Sequence, residues 1–466
     1  MSDNLCKWKS KYLPEYKCHE PPLAGKDWCI LHSEEEDKDI VEFTRKVNER
    51  MAAPEKIDLK GCYFPEKFPA GYFRGRAFNK PVDFSEATFS EEVDFSRATF
   101  SQEAHFSEAT FSQRADFNFA KFSQGADFGG AKFSQANFMG AKFSQAYFIR
   151  ATFSQEVDFN GATFSQLANF MGTTFSQANF IAATFSQRAY FIAATFSQEA
   201  VFCFARFEGE TIRFQDVDLS NASFLHSNID KVDFRYCSFG NKDEKLLGFI
   251  PHRRQNVLRD EIDADDAVGT ALVAVRERTG ASPAPTQKTE KEVREEKYEP
   301  VRRLYLELKK NFEEKRDWNT AGDFHYGEME CRRKMKEGWL WRNISSLEAV
   351  YFWSSGYGER PKRAFVVLVL LVGFLFPIIL SMDVFVPSFL SYLFNDQPFC
   401  LWNWLQDLSN SLAYSFEIAT FTRVTRIGEV IKPDTSWDKW VLVSESILVY
   451  IQILLLALAL RRKVKR

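Results

Sequence analysis

Four residues near the start of the chain, Cys6, Cys18, Cys29 and His32, are of the types that ligate a soft divalent metal. Thiolates and a neutral imidazole are the usual ligands of tetrahedral Zn2+. The spacing is C-x11-C-x10-C-x2-H, and "WCILH" places the last two within reach of one ion across a short turn. One structural zinc ion held by this set is the expectation, with His19 as a spare ligand. The alternative is four unconnected reduced side chains in a loose tail. A second set, His325, Glu328 and Glu330, is of metal or acid–base type. On a helix, carboxylates two residues apart diverge, so a solvated helix face is expected there instead. The chain shows no nucleophile–base pair, phosphate-cradling glycine loop or multi-histidine centre, and the reading is non-enzymatic.

What must position such groups is a chain of 466 residues, longer than one domain usually needs. Its 48 Phe far outnumber its 15 Tyr and 10 Trp, and its formal net charge is −3. That balance gives no electrostatic footprint for nucleic acid. The opening residues have no apolar h-region, so no secretory signal is expected and the eight Cys are read as reduced thiols.

From about Phe84 the Phe residues recur every five or six positions, for example "ATFSQEVDFNGATFSQLANF" at 151–170. On an α-helix, five steps of about 100° leave successive Phe about 140° apart, so no face is buried. In a straight strand an odd period sends successive Phe to opposite sides. Within one repeat, however, the Phe and the small or β-branched residue two before it share a side. The chain must therefore turn once per repeat, and four turns close a square coil of about twenty residues. Stacked coils rise about 4.8 Å each, with Phe on Phe inside. The core positions include Phe89, Phe100, Phe111, Phe122, Phe133, Phe143, Phe153, Phe164, Phe175, Phe185 and Phe196. A sixth residue occurs only in "FSQ" segments ("FSQEVDF" against "FSQANF"), which predicts a bulge on two opposite faces.

The spellings A-[TK]-F-x-x and [AV]-[DN]-F-S-Q resemble the pentapeptide-repeat family in its Phe-centred form. The resemblance covers about 57–240 and implies a mainly β fold, a right-handed quadrilateral β-helix. The interval 65–80 departs from the spacing. Some soluble members of the family resemble B-DNA and act on topoisomerases. Here Glu86, Glu91, Glu92 and Asp94 are mixed with Arg97, Arg114, Lys121, Lys132 and Lys142, so the anionic field of a DNA mimic is missing and that reading ranks last. A metal knuckle in 1–40 over the open end of such a coil accounts for its position, because an uncovered end exposes unpaired backbone.

Beyond the repeats, 241–297 reads as a charged linker and 298–338 as an αα-hairpin, with Leu304, Leu308 and Phe312 on one stripe and Asn319 as N-cap of the second helix. Next come a juxtamembrane segment (339–363) and two apolar spans, 364–382 and 440–460, joined by the loop 383–439. The basic tail 461–466 ends the chain. Positive flanks on both spans place both termini in the cytoplasm of a prokaryotic-type membrane, in an integral, multi-pass protein. The strings LKKNFEE (308–314), AGDFHYGEME (321–330) and SGYGERP (355–361) resemble a segment that follows the repeats in membrane-bound prokaryotic relatives. The loop resembles a degenerate pore region of two-span potassium channels at Thr420, Thr422, Arg423, Thr425, Arg426 and Gly428. A ring of arginines there would repel K+, so potassium selectivity is not expected.

Two function classes follow. The first is a membrane-anchored scaffold with a protein partner on the rod. The second is an ion-channel-like or transport-related homo-oligomer with a pore not selective for potassium, regulated by the repeats.

Overall fold

The computed structural model describes residues 5–246, 250–278, 289–379, parts of 405–415, and 436–464. It divides into two compact units, residues 1–283 with 303–311, and residues 284–302 with 312–466.

The first unit contains a parallel β-solenoid of about eight turns. Its strands form two long parallel sheets, of thirteen and ten strands. Successive coils pair in register, as in Lys132↔Thr152 and Lys121↔Lys142. The Phe residues line four columns with ring centroids 4.5–5.5 Å apart along each column. Phe89, Phe111, Phe133, Phe153, Phe175 and Phe196 form one column. Phe100, Phe122, Phe143, Phe164 and Phe185 belong to another. The two remaining columns meet edge to face across the interior, as Phe106 does with Phe117 at 5.6 Å and 86°. Both offset-stacked and T-shaped geometries suit the ring quadrupole. The small residues between them are fully buried, and Thr173 enters this position by donating its hydroxyl to the Phe148 carbonyl at 2.6 Å.

The corners of the coil come in two kinds. Between Phe117 and Ala120 the chain makes a tight turn, with Ala120 N–H donating to the Phe117 carbonyl at 3.0 Å and Phe119 at φ 55°. That φ belongs to the third residue of a type II turn, which favours glycine. Gly140 fills the same place one coil on, where a Cβ would lie 2.4 Å from the Phe119 ring. The Asp or Asn before each such Phe acts locally. Asp116 Oδ1 accepts from Asn118 N–H at 2.9 Å, and Asn137 Oδ1 accepts from Met139 N–H at 2.9 Å. These Asx contacts brace the left-handed corner. The "FSQ" corners stay extended inside seven- or six-residue strands such as Thr110–Asp116 and Lys132–Asn137. The optional sixth residue produces a register shift there, between Phe133 and Gln135. The bulge thus sits at two corners rather than on two faces, because the backbone between the Phe and the next Ala is the part free of core side chains.

The interval 65–80 does not break the core. A 3-10 turn at Ala70–Phe73 carries Phe73 onto Phe95 (4.7 Å), and Phe78 stacks on Phe100 (4.6 Å). Helix α1 (Ile40–Met51) is N-capped by Asp39 and buries Phe43 and Val47. Phe43 meets Phe64 and Phe68 edge-on, each at 5.6 Å.

The span expected to be a linker is structured in large part. Gly240–Leu246 and Ile250–Val257 pair as an antiparallel hairpin, and α2 covers Arg259–Arg278. At the start of α2, Asp260 accepts from the Ser223 hydroxyl and from Phe224 N–H (3.2 Å). Beside it Arg254 forks onto Glu261 at 2.7 and 2.9 Å, and the Tyr305 hydroxyl donates to Glu261 at 2.7 Å. Helix α3 (Glu290–Glu314) starts earlier than expected and contains Pro300. Leu304, Leu308 and Phe312 are buried as the stripe predicts. From the string LKKNFEE, Asn311 donates its amide to the Val232 and Asp230 carbonyls at 2.7 and 3.1 Å.

In the second unit α4 (Trp318–Lys334) is capped by Asp317, whose carboxylate accepts from Thr320 N–H, and not by Asn319. Asp317 lies one residue outside the helix, where a side-chain oxygen can reach back to the orphan N–H groups. Helix α5 (Leu347–Ser355) follows within the stretch expected to be juxtamembrane. Helix α6 begins at Pro361, and α7 covers Ser436–Val464. Pro361–Ile379 and Ser444–Arg461 are long and apolar enough to cross a membrane.

Phe138→Ala should cost about 3–5 kcal/mol, the loss of a buried ring plus its cavity, whereas Gln145→Ala on the outer surface should be near neutral. Denaturant-dependent hydrogen exchange over residues 115–160 reads both. Burial pushes the Asp260 carboxyl up to about 6. The folded state then holds the extra proton between about pH 4 and 6, so this group's stabilisation falls as pH rises through that window. Comparing thermal unfolding at pH 4.5 and 7 should show a contribution on the order of 2 kcal/mol that Asp260→Asn removes.

Candidate metal centre

Cys6, Cys18, Cys29 and His32 are all buried, and their ligand atoms lie within 4.8 Å of one another. Cys18 and Cys29 Sγ are 3.8 Å apart, and His32 Nδ1 is 3.2 Å from Cys29 Sγ and 3.5 Å from Cys6 Sγ. Sequence spacing brings only Cys29 and His32 together; the fold brings all four. His19 is not among the four converging residues.

Backbone hydrogen bonds shape the site. His32 and Ser33 N–H both donate to the Cys29 carbonyl, at 3.1 and 2.9 Å, and close the turn. Cys6 is placed by its N–H to the Glu20 carbonyl (2.9 Å), and its sulfur accepts from Cys29 N–H at 3.3 Å. His32 Nε2 faces the Lys60 carbonyl at 3.0 Å. Donation there puts the proton on Nε2 and leaves the Nδ1 lone pair aimed at the sulfurs, the outer-shell contact that orients a ligating imidazole. The Trp8 ring stacks on His32 at 4.5 Å and 4°. It fits only because residue 61 is glycine, where a Cβ would lie 2.0 Å from the indole. Nearby, burial pushes the Lys38 ammonium down to about 8, against the pull of Cys62 and Cys29. Cys62 itself fills a small-residue position of the first coil, and Phe64 two residues on is the corresponding centre. Four soft donors with no open position can hold a metal but leave nowhere for a substrate.

The second set differs from the sequence expectation. Glu328 and Glu330 are buried, not solvated. Glu328 pairs with His325 at 3.5 Å. Glu330 takes the Arg333 guanidinium, and Tyr357 of the string SGYGERP donates to Glu330 Oε2 at 3.0 Å. Arg333 also donates to Asn343 Oδ1 at 2.7 Å and lies over the Phe352 ring at 5.0 Å. Burial and the Glu330 charge push the Tyr357 phenol well up, which keeps it a donor. Helix periodicity accounts for the Glu330–Arg333 and Glu328–His325 pairs three residues apart, but not for the burial, because Phe352 and Tyr357 come from α5 and the turn after it. The strings AGDFHYGEME and SGYGERP therefore meet in one buried network. Thr420, Thr422, Arg423, Thr425, Arg426 and Gly428 lie outside the described residues.

Three overlapping stretches, 73–121, 106–148 and 140–182, match the family model described as pentapeptide repeats (9 copies). The matched stretches lie within the solenoid. Among solved structures, one that is similar is QnrB1, described as a plasmid-mediated fluoroquinolone resistance protein. It is 19% identical, with 40% of this chain and 92% of that chain covered and a TM-score of 0.15. A likeness at that level says nothing of what this chain acts on. Comparison with curated proteins gives no match.

Glu330→Ala should destabilise the second unit by about 3–5 kcal/mol, because it leaves the Arg333 charge buried without its carboxylate. The double replacement Glu330→Leu with Arg333→Met should recover much of the loss. Thermal unfolding in detergent distinguishes the two; equal loss in both variants would sink this account.

Proposed function

We propose that the protein is a non-enzymatic interaction scaffold, a pentapeptide-repeat rod held at the cytoplasmic face of a membrane by two spanning helices. The observation that carries the reading is the exposure of the two apolar helices. Their windows have mean hydropathy 2.3 and 1.6, yet only 22% of each is buried within the chain. A core helix of a soluble protein would be mostly covered. Val372 and Phe376 pack on Val449, while Phe365, Phe374, Leu454 and Leu458 remain uncovered. Gln452 donates to the Ser354 and Ala364 carbonyls, both at 2.8 Å. A polar side chain satisfied inside the helix pair is what an apolar solvent requires.

Just before the first span, Trp339, Leu340, Trp341, Ile344 and Leu347 are also exposed. Aromatic residues at that position suit the headgroup level, and Arg360, Lys362 and Arg363 favour the cytoplasmic side. The partner-facing surface is the rod. One face carries a polar groove lined by Glu103, His105, Asp127, Tyr147 and Gln166. Across it, Gln124 donates to Gln102 at 3.0 Å and Gln145 to Gln166 at 3.1 Å. Such a groove suits a protein segment with its own amides better than a phosphate backbone.

Expressed in a bacterial host, the chain should sediment with membranes, resist alkaline extraction and dissolve only in detergent. In spheroplasts, added protease should cut within 383–439 and leave the solenoid intact. A soluble chain overturns the anchoring; a solenoid digested from outside overturns the orientation.

A further inference from the structure

We infer that Cys6, Cys18, Cys29 and His32 bind one zinc ion, and that this ion holds shut the cap over the first coil of the rod. The geometry of the donors comes first. For Zn–S of about 2.3 Å and Zn–N of about 2.0–2.1 Å, the edges of a tetrahedron are about 3.8 Å between sulfurs and about 3.5 Å between sulfur and nitrogen. Three of the six edges here are 3.8 Å for Cys18–Cys29, 3.5 Å for Cys6–His32 and 3.2 Å for Cys29–His32, and all six lie within 4.8 Å. Three thiolates and one imidazole are too soft a set for Mg2+ or Ca2+ and suit zinc. All four donors are buried, and the outer shell is in place: His32 Nε2 on Lys60 O, Cys29 N–H on Cys6 Sγ, and Trp8 flat on the imidazole.

The coupling to the rod follows from what the same residues do on their other side. The first coil has no preceding coil, so part of its backbone faces outward. Three of those groups are satisfied by the metal-binding segment. Tyr63 N–H donates to the Leu31 carbonyl at 2.8 Å, from inside the Cys29–His32 turn. The Lys60 carbonyl accepts from the ligand His32 itself, and the Tyr63 carbonyl accepts from Lys38 Nζ. One imidazole therefore touches both the ion and the coil edge. Without the ion, a segment of about thirty residues has little regular structure to keep these donors and acceptors in place, and an open parallel edge is a template for another rod end. Metal-binding energy becomes folding energy for the cap. This inference rests on the first unit alone and is independent of whether the second unit enters a membrane.

The full chain, purified in detergent without added metal, should carry one zinc per chain by elemental analysis, and Cys29→Ser should lose it. Cobalt exchanged into the full chain should give the visible bands of a tetrahedral thiolate site. His32→Cys should keep the metal but alter that spectrum, since four ligands remain while the Lys60 contact goes. A strong chelator should speed exchange of the Tyr63 amide at least about tenfold and leave coils from 130 to 180 protected; zinc should restore it. If Cys29→Ser does not fold, chelation and re-addition on the unaltered chain decide the matter. Absence of zinc from the unaltered chain, or a Cys18–Cys29 disulfide found by intact mass, overturns the metal site. Zinc that can be removed with no change at Tyr63 overturns its role in the cap.

Discussion

Along the columns of the rod the Phe of one coil stacks on the Phe of the next, and the rest of the first unit is arranged around that register. Ring stacking at about 5 Å and strand pairing at about 4.8 Å demand nearly the same rise. A coil that gained a residue anywhere in its core positions would lose both at once. Variation is therefore confined to the one place where no side chain points inward, the "FSQ" corner, where a residue is gained or lost as a bulge. The opposite kind of corner cannot vary, because its left-handed residue and the Asx contact that braces it occupy a fixed four-residue turn.

A column of stacked rings has two ends, and neither end can be closed by another repeat. At the start, α1 lays Phe43 on Phe64, while the Cys/His segment supplies Leu31, His32 and Lys38 to the exposed backbone. At the far end, Asp260 takes the Ser223 and Phe224 donors and Asn311 covers carbonyls of the last coil. The two solutions use different chemistry for the same need. The Cys/His set and the LKKNFEE string that holds Asn311 stand out in the sequence as isolated motifs; Asp260 does not.

What could be read from the residues and what could not divides along the same line. The coil and its four inward columns follow from a period repeated about thirty times, since local geometry and core demand agree; the sixth residue is traced to the "FSQ" segments, though it bulges at corners and not on faces. The Cys6–His32 set is recognisable by residue type, but only the fold brings Cys6 and Cys18 to the close pair. Phe73 and Phe78 keep the steps of five and six that lead to Phe84; the departure lies between Phe64 and Phe73, where a 3-10 turn returns the chain to the columns off the spacing. Glu330 departs from the solvated face expected of it for a related reason. Arg333 is one turn away on the same helix, but Tyr357 comes from beyond a second helix, and no periodicity within α4 contains that contact. The hairpin and helix in 240–278 are masked by charge: Arg254 and Glu261 read as linker residues until each is seen to be the other's partner.

The buried charges also bear on why this chain is more than its rod. Replacing a buried ion pair with apolar residues often stabilises a protein, so retaining one argues for something other than stability. Arg254–Glu261–Tyr305 and Glu330–Arg333–Tyr357 share a plan: a carboxylate held by an arginine fork or pair and closed by a tyrosine hydroxyl. Each joins segments that are separate in sequence and would slide on a purely apolar contact. The first sets α2 and the middle of α3 on the end of the solenoid. The second sets α4 against the turn that leads into the first apolar helix. A rod needs no such directional joints to be a rod. Their directionality fixes, within each unit separately, which segments meet and in what register.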